Sequence, residues 1–544
     1  MNIGKFFSLE RIWIGVVTCL LVFLLLLHFS GDVISSWDRS KLVDYKASNC
    51  SDQRAKPPEF QGVSENKLLD GLLTIGFDED SCISRYEFSK YHRGSSRYVP
   101  SSYLLSKLRK YEKRHLRCAP HTEMYKRSVA KLASFDHSNI TEEECKYLVW
   151  DGFNGLGNRM LSMASAFLYA ILTDRVFLTN QRSDMVDLFC EPFPNSSWIL
   201  SKDFPIYQKL ADVQFIHSQS YGKLLQEFEK SNSTSAQVAL PSYLFLYLSY
   251  DYGEHDKKFY LDQNQGFLEN IPWLILVSDQ YFAPYLFTIA SYREELDMLF
   301  PAKDSTFHHL GRYLFHPSNQ AWGMITRFFQ AYLEKHDERI GLQIRVVHPD
   351  LSPSNTVMEH LLSCINTIEI LPRVGDLKNL TYHSNHNASS KGVLITSLFS
   401  EYYEKMKEIY MTKDTLTGDV VGVYQPSHEL TQHFGDINHN IKALAEIYLL
   451  STCNILLTSS WSTFGYVAHG LAGLKPWIFF VPQVDDPNMK QCRRAMTMEP
   501  CFHYPPYYNK ETGITHDMNS IPNFEMHCED VDWGIKLFSS RNGD

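Results

Sequence analysis

Hydrophobic positions along this chain fall into three regimes. Residues 12–29 (IWIGVVTCLLVFLLLLHF) form one apolar run of 18 residues without a charged side chain. As a helix that run rises about 27 Å, enough to cross a thin bilayer with its interfacial flanks. It is read as a transmembrane anchor behind a cytoplasmic tail, residues 1–11, that carries Lys5 and Arg11. Basic residues before the span and Asp32 as the first charge after it put the N-terminus in the cytosol. The run exceeds a signal-peptide core and lacks a small-residue cleavage site, so the anchor is uncleaved. Residues 30–66 contain DQRAKPPEFQGVSENK, polar and proline-bearing with no lasting apolar period, and read as a stem.

From about Leu68 the pattern becomes that of a folded α/β protein. KYLVW (146–150) predicts a buried strand, MLSMASAFLYAILTD a helix and RVFLT (175–179) a second strand. Between the first strand and the helix lies DGFNGLGNRM (151–160). A glycine-bearing turn in that position sets backbone N–H groups and a helix N-terminus beside a phosphate. Met160 stands where the dinucleotide fingerprint needs its third glycine, which argues against NAD and against an oxidoreductase. PSYLFLYLSYDYG and NIPWLILVSDQYF are strands or short apolar helices, and MITRFFQAYLEKH (324–336) has the spacing of an amphipathic helix.

A second series follows. RIGLQIRVV alternates Ile340, Leu342, Ile344 and Val346 with Gly341, Gln343 and Arg345, which predicts a half-buried strand. Strands GVLITSL and DVVGVYQ, helix IKALAEIYLLSTC, strand NILLTSS, helix STFGYVAHGLAG and strand KPWIFFVP continue it. Strands alternating with helices imply parallel sheets, and two series imply two α/β domains with a cleft between them, residues 67–335 and 336–485. Residues 486–544, with Cys492, Cys501 and Cys528, read as an irregular disulfide-tied extension.

Composition narrows the setting. A net charge of −10 leaves no basic excess for a nucleic-acid partner. The aromatic content of 14% fits either a dense core or a groove whose rings stack on sugars. Six glycosylation sequons, at Asn49, Asn139, Asn195, Asn232, Asn379 and Asn387, all follow the apolar run. So do ten of the 11 cysteines, an even number that suits disulfides in an oxidising lumen without fixing their pairing.

Several side chains carry candidate chemistry. Arg345, near the end of a strand where open α/β sheets bind ligands, is either a planar clamp on a diphosphate or a sheet-surface arginine paired with a carboxylate. In TSSWSTFGYVAHG (458–470), Ser460, Ser462 and Thr463 either cap a helix or hold phosphates with its free N–H groups, while Trp461 and Phe464 shape the wall. His439 and Asn440 stand at the start of the preceding helix. His433 and His439 lack partners at zinc-ligand spacing. The acidic triplets at 78–80 and 530–532 follow no convincing strand, so no metal is assigned.

DGFNGLGNRMLSMASAFLYAILTDRVFL, HHLGRYLFHPSNQAWG, GLQIRV, TSSWSTFGYVAHGLAGLKPWI and CRRAMTMEPCFH occur in collinear order within residues 68–538. Together they resemble the plant cell-wall (xyloglucan-type) fucosyltransferase family. The resemblance implies a type II Golgi membrane enzyme with two Rossmann-like domains facing a cleft, the type-B glycosyltransferase architecture. It implies transfer of fucose from GDP-fucose to a wall glycan with inversion, through an α-1,2 linkage and with no required metal. A homo-oligomer is compatible with it. In the family the arginine of QIRV contacts the donor pyrophosphate, which here is Arg345. The donor-binding set is then Gly155, Gly157, Asn158, Arg159, Gln343, Arg345, His439, Asn440, Ser460, Trp461, Ser462, Thr463 and Phe464. Asp279, in IPWLILVSDQYF, falls on the acceptor side and is the candidate base, with His439 able to fill either role.

The chain departs from the family pattern at Leu261 and near Asn509, where the family has cysteines, a change that matches loss of one bridge. The stretch after Arg345 and the insert SNHNASSKG diverge, which leaves the acceptor open between galactose on xyloglucan, arabinose on an arabinogalactan protein and another wall glycan. The alternative is a lumenal glycan-binding protein of the same fold that has lost transfer.

Overall fold

The computed structural model describes residues 67–91, 98–134, 144–231, 240–375, 388–483, 489–506 and 522–539. The expected anchor and stem lie outside these residues, as do Cys50, Asn49, Asn139, Asn232, Asn379, Asn387 and Asn509. Among the described residues no helix is long and apolar enough to cross a membrane.

The runs YLVW, YLFLYL and WLILVS are continuous rather than alternating, and the first sheet shows why. It is four-stranded and wholly parallel, in the order β2 (Val176–Thr179), β1 (Tyr147–Gly152), β4 (Trp273–Ser278), β3 (Tyr243–Leu248). Parallel sheets are covered on both faces, so strands such as β1 and β4 are buried at every position. The helix α1 (Leu156–Leu172) follows β1 and is buried at every residue except Asn158. A helix that is apolar all round has neighbours all round. The expected helix at 324–336 is present as α2 (Asn319–Phe328), continued by a π turn at Phe329–Leu333.

The second sheet has six strands. Its order is β10 (Cys492–Arg494), β9 (Trp477–Phe479), β8 (Ile455–Ser459), β5 (Glu338–Gln343), β6 (Ser390–Thr396), β7 (Val420–Tyr424). Every pairing is parallel except that of β10 with β9 at the edge. Helices α3 (Ser354–Ile368), α4 (Glu401–Thr412), α5 (Ile437–Ser451) and α6 (Thr463–Ala472) connect these strands.

β5 corrects the half-buried reading. It sits at the centre of the sheet, is buried from Arg339 to Gln343, and ends before Ile344, so Arg345 and Val346 belong to the loop that follows. Gly341 is small because space is short: a Cβ there would lie 2.6 Å from a methyl of Leu456 and 2.8 Å from one of Leu450. Gln343 is inside with its side-chain amide oxygen accepting from the Ser459 N–H at 3.1 Å. Both are buried, Gln343 at the edge of a cleft.

One apolar core runs from the first sheet through α1 into α5 and α6, and a second fills the other face of the six-stranded sheet. Among the described residues four disulfides join Cys82 to Cys190, Cys118 to Cys145, Cys364 to Cys492 and Cys501 to Cys528. The Cys364–Cys492 bridge ties α3 to the edge strand β10, and Cys501–Cys528 braces the antiparallel pair Glu525–His527 and Ile535–Leu537. Cys453 is unpaired and buried, its thiol pushed up to about 12 by desolvation.

Candidate active site

In an open parallel sheet, ligands bind beyond the carboxyl ends of the strands at the point where the chain reverses its direction of travel across the sheet. In the first sheet that point lies between β1 and β4, and in the second between β5 and β8. A cleft of about 530 Å³ opens at these ends, within the range of small-molecule sites. Its walls are the turn after β1 (Asn154 to Asn158), the loops after β5, β6 and β7, and the first residues of α5 and α6.

The glycine turn is built for close approach. Asn154, not a glycine, takes the left-handed conformation with φ of 64°. Gly157 lies in the first turn of α1 against the start of α6: a Cβ there would stand 2.7 Å from the Thr463 carbonyl carbon and 2.8 Å from the Phe464 nitrogen. The Thr463 hydroxyl donates to the side-chain oxygen of Asn158 at 2.9 Å. The N-termini of α1 and α6 thus meet at the cleft, and neither has a side-chain cap. First-turn N–H groups and the helix dipoles together favour an anion. Gly157→Ala is expected to force the two helix starts apart, lowering stability by about 1–3 kcal/mol, as overpacking does. A thermal melt with and without nucleotide checks it, and unchanged midpoints in both would contradict the contact.

Arg345 lies two residues beyond β5. Its backbone N–H donates to the Ser459 hydroxyl at 2.9 Å, which pins the loop to β8, while its side chain is exposed in the cleft wall. Among the described residues no carboxylate pairs with its guanidinium, so the sheet-surface ion pair is not formed. The two carboxyls that do line the cleft are neutralised. Glu429 is held by His439 Nδ1 at 2.6 Å and by Lys442. Glu446 is buried, its pKa pushed up to about 8 by desolvation, with a hydrogen bond from the Ser427 hydroxyl at 2.6 Å. Among the described residues Arg345 is left as the uncompensated charge of the wall.

Of the sequence-derived donor set, Gly155, Gly157, Asn158, Gln343, Arg345, His439, Asn440, Thr463 and Phe464 line the cleft. Arg159, Ser460, Trp461 and Ser462 do not. Arg159 is inside the fold, its guanidinium bonded to Asp184 at 2.9 Å. The Asn440 amide donates to the same residue, to its carbonyl at 2.8 Å and its carboxylate at 3.1 Å. Arg159, Asp184 and Asn440 therefore brace α1 against α5. The Ser460 N–H continues the β8–β9 ladder to the Phe479 carbonyl, and Ser462 is the buried N-cap of α6. Trp461 lies outside the cleft, its N–H given to Asp530 at 2.8 Å. The loops Thr396 to Phe399 and Ser427 to Phe434 are wall elements that motif reasoning did not find. Their position after β6 and β7 is the signal that marks them.

Asp279 stands one residue past β4, beneath the glycine turn rather than in the cleft wall, and is 3% exposed. Its carboxylate accepts from Asn154 Nδ2 at 2.7 Å, Gln280 Nε2 at 2.9 Å and the Tyr250 N–H at 3.1 Å. Its carbonyl accepts from Asn158 Nδ2 at 3.2 Å. Burial raises its pKa, and the hydrogen bonds from Gln280, Asn154 and Tyr250 oppose that shift. The one convergence of metal-type ligands among the described residues, Cys501, Cys528 and Asp530, offers no free thiolate because the cysteines form a disulfide.

Parallel α/β sheets with paired helix N-termini and an unneutralised arginine at one cleft define an α/β protein with a site suited to an anionic group such as a diphosphate. Residues 39–511 match the xyloglucan fucosyltransferase family, and the chain belongs to it: it is a fucosyltransferase. It is 49% identical over 481 residues to a galactoside 2-alpha-L-fucosyltransferase of Pisum sativum, covering 88% of this chain and 84% of the relative. It is 46% identical to a galactoside 2-alpha-L-fucosyltransferase of Arabidopsis thaliana, covering 96% and 92%. Among solved structures, an arginine-to-lysine mutant of Arabidopsis thaliana FUT1 in complex with GDP matches with a TM-score of 0.77 at 48% identity, over 87% of this chain and all of that one.

Proposed function

We propose that this fucosyltransferase moves fucose from GDP-fucose to the 2-hydroxyl of a galactosyl residue on a cell-wall glycan, of xyloglucan or arabinogalactan type, with inversion and without a metal. The observation that carries the reading is the unpaired Arg345 in the cleft where the N-termini of α1 and α6 meet. The GDP complex of the similar Arabidopsis structure and the names of the two relatives support donor and linkage.

In the reaction the bond from the fucosyl C1 to the β-phosphate oxygen breaks, and its electron pair leaves on GDP. The acceptor oxygen attacks C1 from the opposite face, turning a β-linked donor into an α-linked product, and its proton passes to a base. Arg345 and the two sets of N–H groups stabilise the charge growing on the diphosphate. Asp279 takes the proton if one of its three donors yields to the acceptor hydroxyl, and His439 is the other candidate. Transfer is expected to persist in excess EDTA. Complete loss restored by Mn²⁺ would overturn the metal-free reading.

The two-domain type-B plan completes the proposal: residues 336–485 hold the donor in the main, with the glycine turn closing on it from residues 67–335, which present the acceptor, and 486–544 form the extension, whose β10 joins the second sheet. The protein is placed in the Golgi membrane with residues 12–29 as its anchor and the body in the lumen, where the exposed Asn195 is open to glycosylation. Protease added to intact microsomes is expected to trim only the short tail. Loss of the body before detergent is added would contradict this topology.

A further inference from the structure

Trp461 is strained and outward-facing. It has φ of 53°, a conformation that a bulky side chain rarely adopts, and is 50% exposed. The surrounding structure holds this conformation, since the Asp530 carboxylate accepts from the Trp461 N–H at 2.8 Å and from the Tyr466 hydroxyl at 2.6 Å. Backbone strain kept in place beside a ligand cleft points to a functional side chain. Thr463 and Phe464, two and three residues on, already line that cleft.

The ring does not stand alone. Trp461 packs edge-on against Trp533 at 5.8 Å, and Trp533 is itself 43% exposed. Trp461 also meets His503, which is buried, at 6.0 Å; His503 meets Tyr504 at 6.5 Å, and Tyr504 meets Tyr250 at 6.2 Å. Tyr250 is 49% exposed, and its backbone N–H is the one that binds Asp279. The Tyr252 hydroxyl donates to the Tyr504 carbonyl at 2.7 Å and fixes the row in place. A continuous series of rings therefore leads from the C-terminal extension, past the start of α6, to the residue assigned to the acceptor side.

We propose that this row is the acceptor platform: a saccharide chain of more than one sugar lies across Tyr250, Trp461 and Trp533, with the hydroxyl to be modified delivered at the Asp279 end. The inference rests on the fucosyl-transfer reading and adds to it where the rest of the glycan binds. Tryptophan and tyrosine suit this task, since each presents an apolar face to pyranose C–H groups and a polar edge to hydroxyls. Continuity with the donor cleft selects a glycan over another occupant, because the group that meets fucose there must be a sugar hydroxyl.

The test is calorimetric binding of a galactose-terminated xyloglucan oligosaccharide to the GDP-saturated protein, in the parent chain and in Trp533→Ala and Tyr250→Ala. Both residues are about half exposed, and a thermal melt confirms that each variant is folded. The oligosaccharide Kd is expected to rise about fivefold to tenfold in each variant, the range an aromatic contact commands, with GDP affinity unchanged. Methyl β-galactoside, too short to reach along the row, should bind equally to parent and Trp533→Ala. Unchanged oligosaccharide affinity in both variants, or no binding to the parent, would overturn the platform. Ring-dependent binding without transfer from GDP-fucose would instead sink the transfer reading and leave the platform standing.

Discussion

Arg345→Lys is expected to lower the turnover of fucosyl transfer by about a hundredfold or more while the protein stays folded. Lysine keeps the charge but loses the planar fork that can bind two phosphate oxygens at once. Removing one preorganised donor from a developing anion costs on the order of 3 kcal/mol at the transition state. Little compensation is available, because the other charged groups of the wall are already engaged: Glu429 takes up His439 and Lys442. The fold should tolerate the change, since the contact that anchors this loop is the Arg345 backbone N–H on Ser459. Turnover and the thermal midpoint, measured on the same preparation, decide the matter. Near-normal turnover in a folded variant would reduce Arg345 to a loop residue.

Asp279→Asn should separate acceptor chemistry from donor binding. The substitution keeps size but turns one oxygen into an amide nitrogen; with that nitrogen on the Asn154 side, the bond from Asn154 is lost while the remaining oxygen still accepts from Gln280 and Tyr250. One buried donor is then orphaned, at about 1–3 kcal/mol of stability. The hydrogen bond from Asn158 goes to the Asp279 carbonyl and survives. The start of α1, Arg345 and α6 therefore remain in place for the diphosphate. Transfer should fall about a hundredfold with the loss of basicity, while GDP binding by calorimetry stays within about threefold, a difference of roughly 0.6 kcal/mol. Parallel collapse of both would assign Asp279 to the framework of the donor cleft. No change in either would shift the search for the base to His439.

Much of this architecture was legible because strand, turn and helix are local signals. The unit from β1 through α1 and the one from β8 into α6 both stand where the hydrophobic pattern put them. What sequence could not show was crowding from afar. Gly341 and Gln343 read as the wet face of a strand, yet they are enclosed by Leu450, Leu456 and Ser459 from more than a hundred residues away. Arg159 read as part of the donor-binding set beside the glycine turn. It is instead consumed by Asp184, which also holds Asn440 from 256 positions downstream. The loops after β6 and β7 supply much of the cleft without a motif of their own, and only the sheet order reveals that they end beside Arg345.

The central claim is that this cleft delivers fucose from GDP-fucose to a galactosyl hydroxyl. Its most direct test is to incubate the purified chain with GDP-fucose and a galactose-terminated xyloglucan oligosaccharide and to read the product by NMR. The account predicts one new α-fucosyl residue attached at O2 of the terminal galactose, with GDP released in equal amount. GDP and free fucose alone, or a β-linked product, would contradict it.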